Sequence, residues 1–222
     1  MTRREDVAIG IDVAFDAAWL VAIAGWPRPS VIETRLLHPV VPASLTEFCE
    51  GSFAVAIDAP RGPSALAHVG DSRLSPKFQR GRCSEVALSR AGISVPWITP
   101  PDLAAAAPWM RTGFAIWETL EVTGVEPLET YPHGVLWMLA GQQLRHKQRP
   151  VGLLARLSVL DRYVELPAGS AMWSHDGIDA LAAAYVAWQR QFDKARRIDC
   201  ASDASWPTHD GSAIWLPVPD LD

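Results

Sequence analysis

The stretch "VAIGIDVAFDAAWLVAIAG" limits this chain more than any other. Residues 7–14 and 17–25 are apolar runs short enough for buried strands, and only Phe15 and Asp16 lie between them. That is too little chain for a helical crossover. The spacing therefore predicts a hairpin and an antiparallel pair. Residues 31–40 alternate and add a third strand, stopped by Pro39 and Pro42. "ASLTEFCEG" reads as a short helix closed by Gly51. "FAVAIDAP", residues 53–60, is a fourth strand, apolar up to Asp58. A helix lies between it and the third strand, so it is expected to run parallel to one of the earlier three.

Residues 61–107 are rich in Pro, Gly and Ser, with one helix expected near 82–91. A long irregular insertion of this kind is usually functional, a lid for example. Further helices are predicted over 108–124, 134–141, 152–164 and 175–196. A short fifth strand ends near Glu129 and Tyr131, and "SAIWLPVPD" is expected to add an edge strand. The chain, 1–222, reads as one α/β domain. Its mixed five-stranded sheet has three antiparallel strands first, later strands parallel to the first, and helices on both faces. A length of 222 residues, 49% of them hydrophobic, suffices for one core.

No apolar stretch reaches the roughly 20 residues of a membrane span, so no membrane partner is expected. The charged start, reaching Asp12 early, does not resemble a secretory signal. Cys49, Cys83 and Cys200 show neither CxxC nor zinc spacing. They read as small buried hydrophobes in a reducing cytoplasm. The ten tryptophans read mainly as packing residues. Net charge is −5, which argues against indiscriminate nucleic-acid binding. Basic residues nevertheless cluster in 61–90 and 145–162, and most are arginine, which suits bidentate phosphate contacts.

The acids carry the chemistry. Asp12 ends the first strand and Asp58 the fourth. If those strands are parallel neighbours, about 4.8 Å apart, their carboxylates lie side by side and repel. A divalent cation removes the conflict, and oxygen-only ligands suit Mg2+ or Mn2+. Asp176 and Asp179, three residues apart, share one face at the start of the last helix. An N-cap or first-turn acid needs no metal, so Asp176 taken alone has a structural explanation. Together with Asp12 and Asp58, the pair forms the acid set of a two-metal phosphodiesterase site. Asp12, Asp58 and Asp179 are the expected metal ligands. Asp176 and Glu129 are the further catalytic candidates. Arg61, Arg82, Lys147, Arg156 and His175 are candidates for substrate contact, and His133 for proton transfer or loop capping. No GxSxG, Walker loop or GxGxxG occurs.

"GIDVA", "AIDAPRG", "LETYPHGVLWMLAG", "HKQRPVGLLARLSVL" and "HDGIDALAAAYVA" occur in an order that resembles family 429 of the domains of unknown function, described as predicted RNase H-like nucleases. "GRCSEVALSRAGI" resembles that family's arginine–acid segment through Arg82 and Glu85, with different internal spacing. The resemblance implies an RNase H-like fold and an acidic metal centre similar to that of Holliday-junction resolvases. Three functions remain open at this point. The first is a metal-dependent nuclease acting on nucleic acid. The second is a catalytically inactive RNase H-like binding module. The third is an actin- or sugar-kinase-like phosphotransferase, for which "GIDVA" speaks and the short chain argues against. DNA or RNA, and monomer or dimer, are also open.

Overall fold

The computed structural model describes residues 6–201 and 210–218. Strand β1 (Ala8–Val13) turns at Phe15 and Asp16 into β2 (Ala18–Ala24), with Ala14 N–H donating to Ala17 O at 2.9 Å. β2 continues antiparallel into β3 (Ser30–Leu37). Helix α1 (Pro42–Cys49) crosses over to β4 (Ala54–Asp58), and β5 (Leu128–Glu129) closes the edge. The order is β3-β2-β1-β4-β5, with β1 antiparallel to β2 and β4 and β5 parallel to β1. This is the RNase H-like sheet expected from the sequence.

The strands alternate between two kinds of face. Ile9, Ile11 and Val13 of β1, with Val55 and Ile57 of β4, join Leu45 and Phe48 of α1 in one core. Helix α3 (Pro108–Glu121) adds Ile116, Trp117 and Leu120 to it. On the opposite face β1 and β4 carry the small residues Ala8, Gly10, Ala54 and Ala56 before each strand ends in an aspartate. Helix α6 (His175–Arg190) fills that shallow trough with its buried run of alanines. Contact is close enough that a methyl on Gly10 would lie 2.0 Å from Ala180 O and 2.1 Å from Ala184 N. Helices α4 (Pro132–Ala140) and α5 (Pro150–Leu160) pack beside α6. Proline stands in the first turn of α1, α3, α4 and α5, where its missing N–H costs nothing.

Two expectations are corrected. The last helix stops at Arg190, not near 196. Lys194 N–H turns back to Gln189 O at 3.0 Å, and Asp193 takes a left-handed φ of 55°. The chain then forms a strand that the sequence did not suggest, β6 (Ala195–Ile198), whose "ARRI" mixes charge with helix-like spacing. The tail strand β7 (Ile214–Pro217) pairs antiparallel with β6 in a separate two-stranded sheet. It is not an edge strand of the main sheet, which it meets at a bridge between Thr130 and Trp215, where Thr130 Oγ1 also donates to Trp215 O at 2.8 Å.

The segment between β4 and α3 holds helix α2 (Cys83–Arg90) and 3-10 turns at Phe78–Arg80 and Leu103–Ala105. Lys77 Nζ donates to the carbonyls of Val95 and Pro96. It thereby fixes the stretch that passes over the carboxyl ends of β1 and β4.

Candidate metal centre

The period-two alternation that gives α6 its trough also aims the acids. Asp12 follows Ala8 and Gly10 on the α6 face, and Asp58 follows Ala54 and Ala56. The parallel register sets Asp12 directly opposite Asp58. Helix α6 begins beyond those strand ends. Ser174 is its N-cap, its Oγ accepting from Gly177 N–H at 3.2 Å. Asp176 therefore sits in the first turn and the cap belongs to the serine. One turn further on, Asp179 enters the acid cluster. Carboxylate oxygens of Asp12, Asp58 and Asp179 all lie within 4.8 Å of one another.

Two unit charges 4 Å apart repel by about 4 kcal/mol at an effective dielectric of 20. One pKa unit corresponds to about 1.4 kcal/mol, so the repulsion is large enough to retain protons. Burial first, and then the Asp58 and Asp179 charges, push Asp12 well above the usual carboxylate range. Burial and Asp179 push Asp58 up to about 7, against the pull of Lys147 and of a hydrogen bond with Asp12. A hydrogen bond between two carboxylates requires a shared proton.

Among the described residues two cations meet the acids, both at Asp179. Lys147 Nζ lies 2.5 Å from Asp179 Oδ2, and Arg156 Nη1 lies 3.6 Å from Asp179 Oδ1. Lys147 belongs to the loop after α4, which lies tightly against α5. A methyl on Gly152 would fall 2.1 Å from His146 O. Asp179 Oδ1 is buried and accepts no hydrogen bond among the described residues. An acceptor left open among three oxygen donors fits a hard divalent cation. The three residues could hold such an ion.

The acids open into a cleft of about 740 Å³. Its walls include Tyr131, His133, His146 and Lys147. At its mouth Phe15 and Trp97 are 66% and 68% exposed. Trp109 lines it as well. The sequence marked most tryptophans, Trp109 among them, as packing residues and did not single out Trp97. The signal it held was position: Trp97 falls in the insertion, outside any apolar period. His133 also lines the cleft. Burial and Arg156 hold its pKa down.

The remaining candidates divide. Asp176 lines the cleft, and His175 Nδ1 lies 2.5 Å from its Oδ1. Arg156 is 3% exposed and is turned toward Asp179. Glu129, beside Ile57 on β5, faces a different partner. Its carboxylate takes a two-pronged contact from Arg82 Nη1 and Nη2, and Arg61 N–H at 3.0 Å. Arg82 is 4% exposed and is also held by Glu85, whose Oε1 accepts from Thr99 N–H at 2.9 Å. The arginine–acid segment is thus a buried brace and the start of α2. The Arg61 side chain leaves the acid cluster to pair with Glu121 at 2.8 Å.

Residues 10–201 match the family model described as "Protein of unknown function (DUF429)". The chain belongs to that family. No curated protein sequence matches it. Among solved structures it is similar to Thermus thermophilus RuvC, at 16% identity over 84% of this chain and 96% of that one, with a TM-score of 0.46. It is similar over the same shares, at 16% identity and a TM-score of 0.49, to T. thermophilus RuvC in complex with a Holliday junction substrate. The fold assignment rests on the strand order and register described above.

Proposed function

We propose that this protein is a divalent-metal-dependent nuclease. The observation that carries the proposal is the convergence of Asp12, Asp58 and Asp179 at one end of a mixed sheet, with an open acceptor on Asp179. These three would hold Mg2+ or Mn2+. Bound there, the cation would offset their mutual repulsion and supply the charge that stabilises a phosphodiester transition state. Lys147 and Arg156 orient Asp179. Asp176, at the cleft wall, would position a water. Phe15 and Trp97 offer flat faces on which splayed bases could stack, and His146 and Lys147 are the nearby phosphate contacts. Residues 61–107 act as one wall of the cleft within a single domain spanning 1–222. Glu129, satisfied by Arg82, belongs to the buried brace instead of taking part directly.

One observation favours a second reading, a binding module without catalysis. The Lys147 ammonium already neutralises Asp179, so a cation must compete with it. Cleavage assays separate the two. Labelled branched, single-stranded and RNA–DNA hybrid substrates are incubated with Mg2+ or Mn2+. The nuclease reading expects metal-dependent cleavage of at least one of them, lost in Asp12→Asn. Binding of these substrates with no cleavage, or equal cleavage by both proteins, contradicts it.

A further inference from the structure

A second cluster of metal-ligating side chains lies away from the acid cleft. His68 comes from the insertion, Cys83 opens α2, and Cys200 follows β6. All three are buried, and a ring nitrogen of His68 and the two Sγ atoms lie within 4.8 Å of one another. His68 Nε2 is 3.8 Å from Cys200 Sγ. A tetrahedral zinc ion, with Zn–S about 2.3 Å and Zn–N about 2.0 Å, would set such atoms about 3.5–3.8 Å apart. The observed separation needs little change to reach that. Asp210 is anchored beside them: Oδ2 accepts from Cys83 N–H at 3.2 Å, and Oδ1 from Ser212 N–H at 3.0 Å.

We propose that His68 Nε2, Cys83 Sγ and Cys200 Sγ bind a structural zinc ion, with the Asp210 carboxylate beside them for the fourth position. Two sulfurs and an imidazole select a soft or borderline cation over Mg2+. The surroundings suit a closed site, since Val86, Ala67, Leu74 and Phe78 pack around the thiols and exclude competing water. Burial lowers the His68 pKa, keeping the ring in the neutral form that ligates. Without metal, burial and then Cys83 push the Cys200 thiol up to about 12, so both thiols carry protons. Zinc uptake replaces those two protons, which leave to solvent, and the ion's two charges balance the two thiolates.

The site would tie the insertion and the start of α2 to the β6–β7 sheet. The residue before Cys83 is Arg82, which holds Glu129 next to Asp58. Zinc would therefore steady the buried brace that Arg82 makes with Glu85 and Glu129. Sequence spacing could not show this, because the ligands come from three separate segments and not from a CxxC pair.

The test is metal content of the full chain, purified with reductant and without chelator. About one zinc per chain is expected. It should be retained in Cys49→Ser, whose thiol lies in the other core, and in Asp12→Asn. It should be lost in Cys200→Ser and in His68→Ala. Because the last two substitutions could unfold the chain, a second measurement uses the unsubstituted protein. Metal-stripped chain titrated with Co2+ should develop thiolate-to-cobalt charge-transfer absorption, saturating at one equivalent. The acid cleft has no thiolate and cannot produce that band. A chain that carries no zinc and gives no such band overturns the proposal. So does zinc that persists in Cys200→Ser, zinc lost in Asp12→Asn, or a Cys83–Cys200 disulfide in the reduced preparation.

Discussion

Two groups of acids flank strand β4 and are treated in opposite ways. Glu129, on β5, and Glu85, on α2, share the Arg82 guanidinium. Backbone N–H groups of Arg61, Arg82 and Thr99 and the Thr99 hydroxyl donate to them as well. Asp12, Asp58 and Asp179 have Lys147 and Arg156 at Asp179 alone, their own mutual repulsion, and an acceptor that takes no hydrogen bond among the described residues. Net charge does not separate the groups. The supply of hydrogen-bond donors does. Where acids serve the fold, the chain completes their coordination from its own atoms. Where it does not, the acids keep protons or leave room for a cation.

If that contrast holds, the first group should fail as structure. Arg82→Ala leaves two buried carboxylates without their cation, a loss that typically costs about 3–5 kcal/mol. Urea unfolding should show that loss, and a change below 1 kcal/mol would remove the distinction. The second group should fail as a ligand set. Asp12→Asn should weaken Mn2+ binding at least 100-fold by calorimetry, more than the 10–100-fold typical of losing an outer-shell partner, while the chain remains folded. Undiminished Mn2+ binding would mean that the trio is not the site.

A smaller effect lies at the cleft mouth. Trp97→Ala should weaken single-stranded nucleic-acid binding by about 1–3 kcal/mol, the usual worth of one stacked base, with Mn2+ affinity unchanged. If both fall together, Trp97 supports the fold instead of a base.

A further effect is on pH dependence. Asp58 has a folded pKa of about 7 against an ordinary value of 3.8. Between those values the folded chain holds a proton that the unfolded chain has released. Stability should therefore fall as pH rises through that window and level off above it. Asp12, Asp179, Lys147 and Glu129 face the same carboxylate, so the comparison is with Asp58→Asn. In chelator, that variant should gain on the unsubstituted protein between pH 5 and pH 8, and excess Mg2+ should offset the deficit of the unsubstituted protein. A variant that loses ground instead would show that Asp58 is well satisfied without metal.

Much of this was legible in the chain. "AIGID" and "AVAID" each put small residues and a terminal aspartate on one face, and two residues between the first strands forced a hairpin. Those facts fix the sheet and place Asp12 opposite Asp58. Asp179 followed because a helix laid on alanines and Gly10 must start where the strands end. The Arg82 brace was not legible, since nothing local shows that its partner, Glu129, lies 47 residues away. β6 was hidden because "KARRI" has no strand alternation until β7 arrives to pair with it. The role of Trp97 depended on the course of an insertion that has no period to read.

The most direct test is a crystal structure of the protein grown with Mn2+, with anomalous scattering used to locate the ion. The account predicts a peak within coordinating distance of Asp12, Asp58 and Asp179, with Lys147 Nζ displaced from Asp179 or sharing it. A manganese-saturated crystal in which those three carboxylates hold no ion, and Lys147 alone satisfies Asp179, would contradict it.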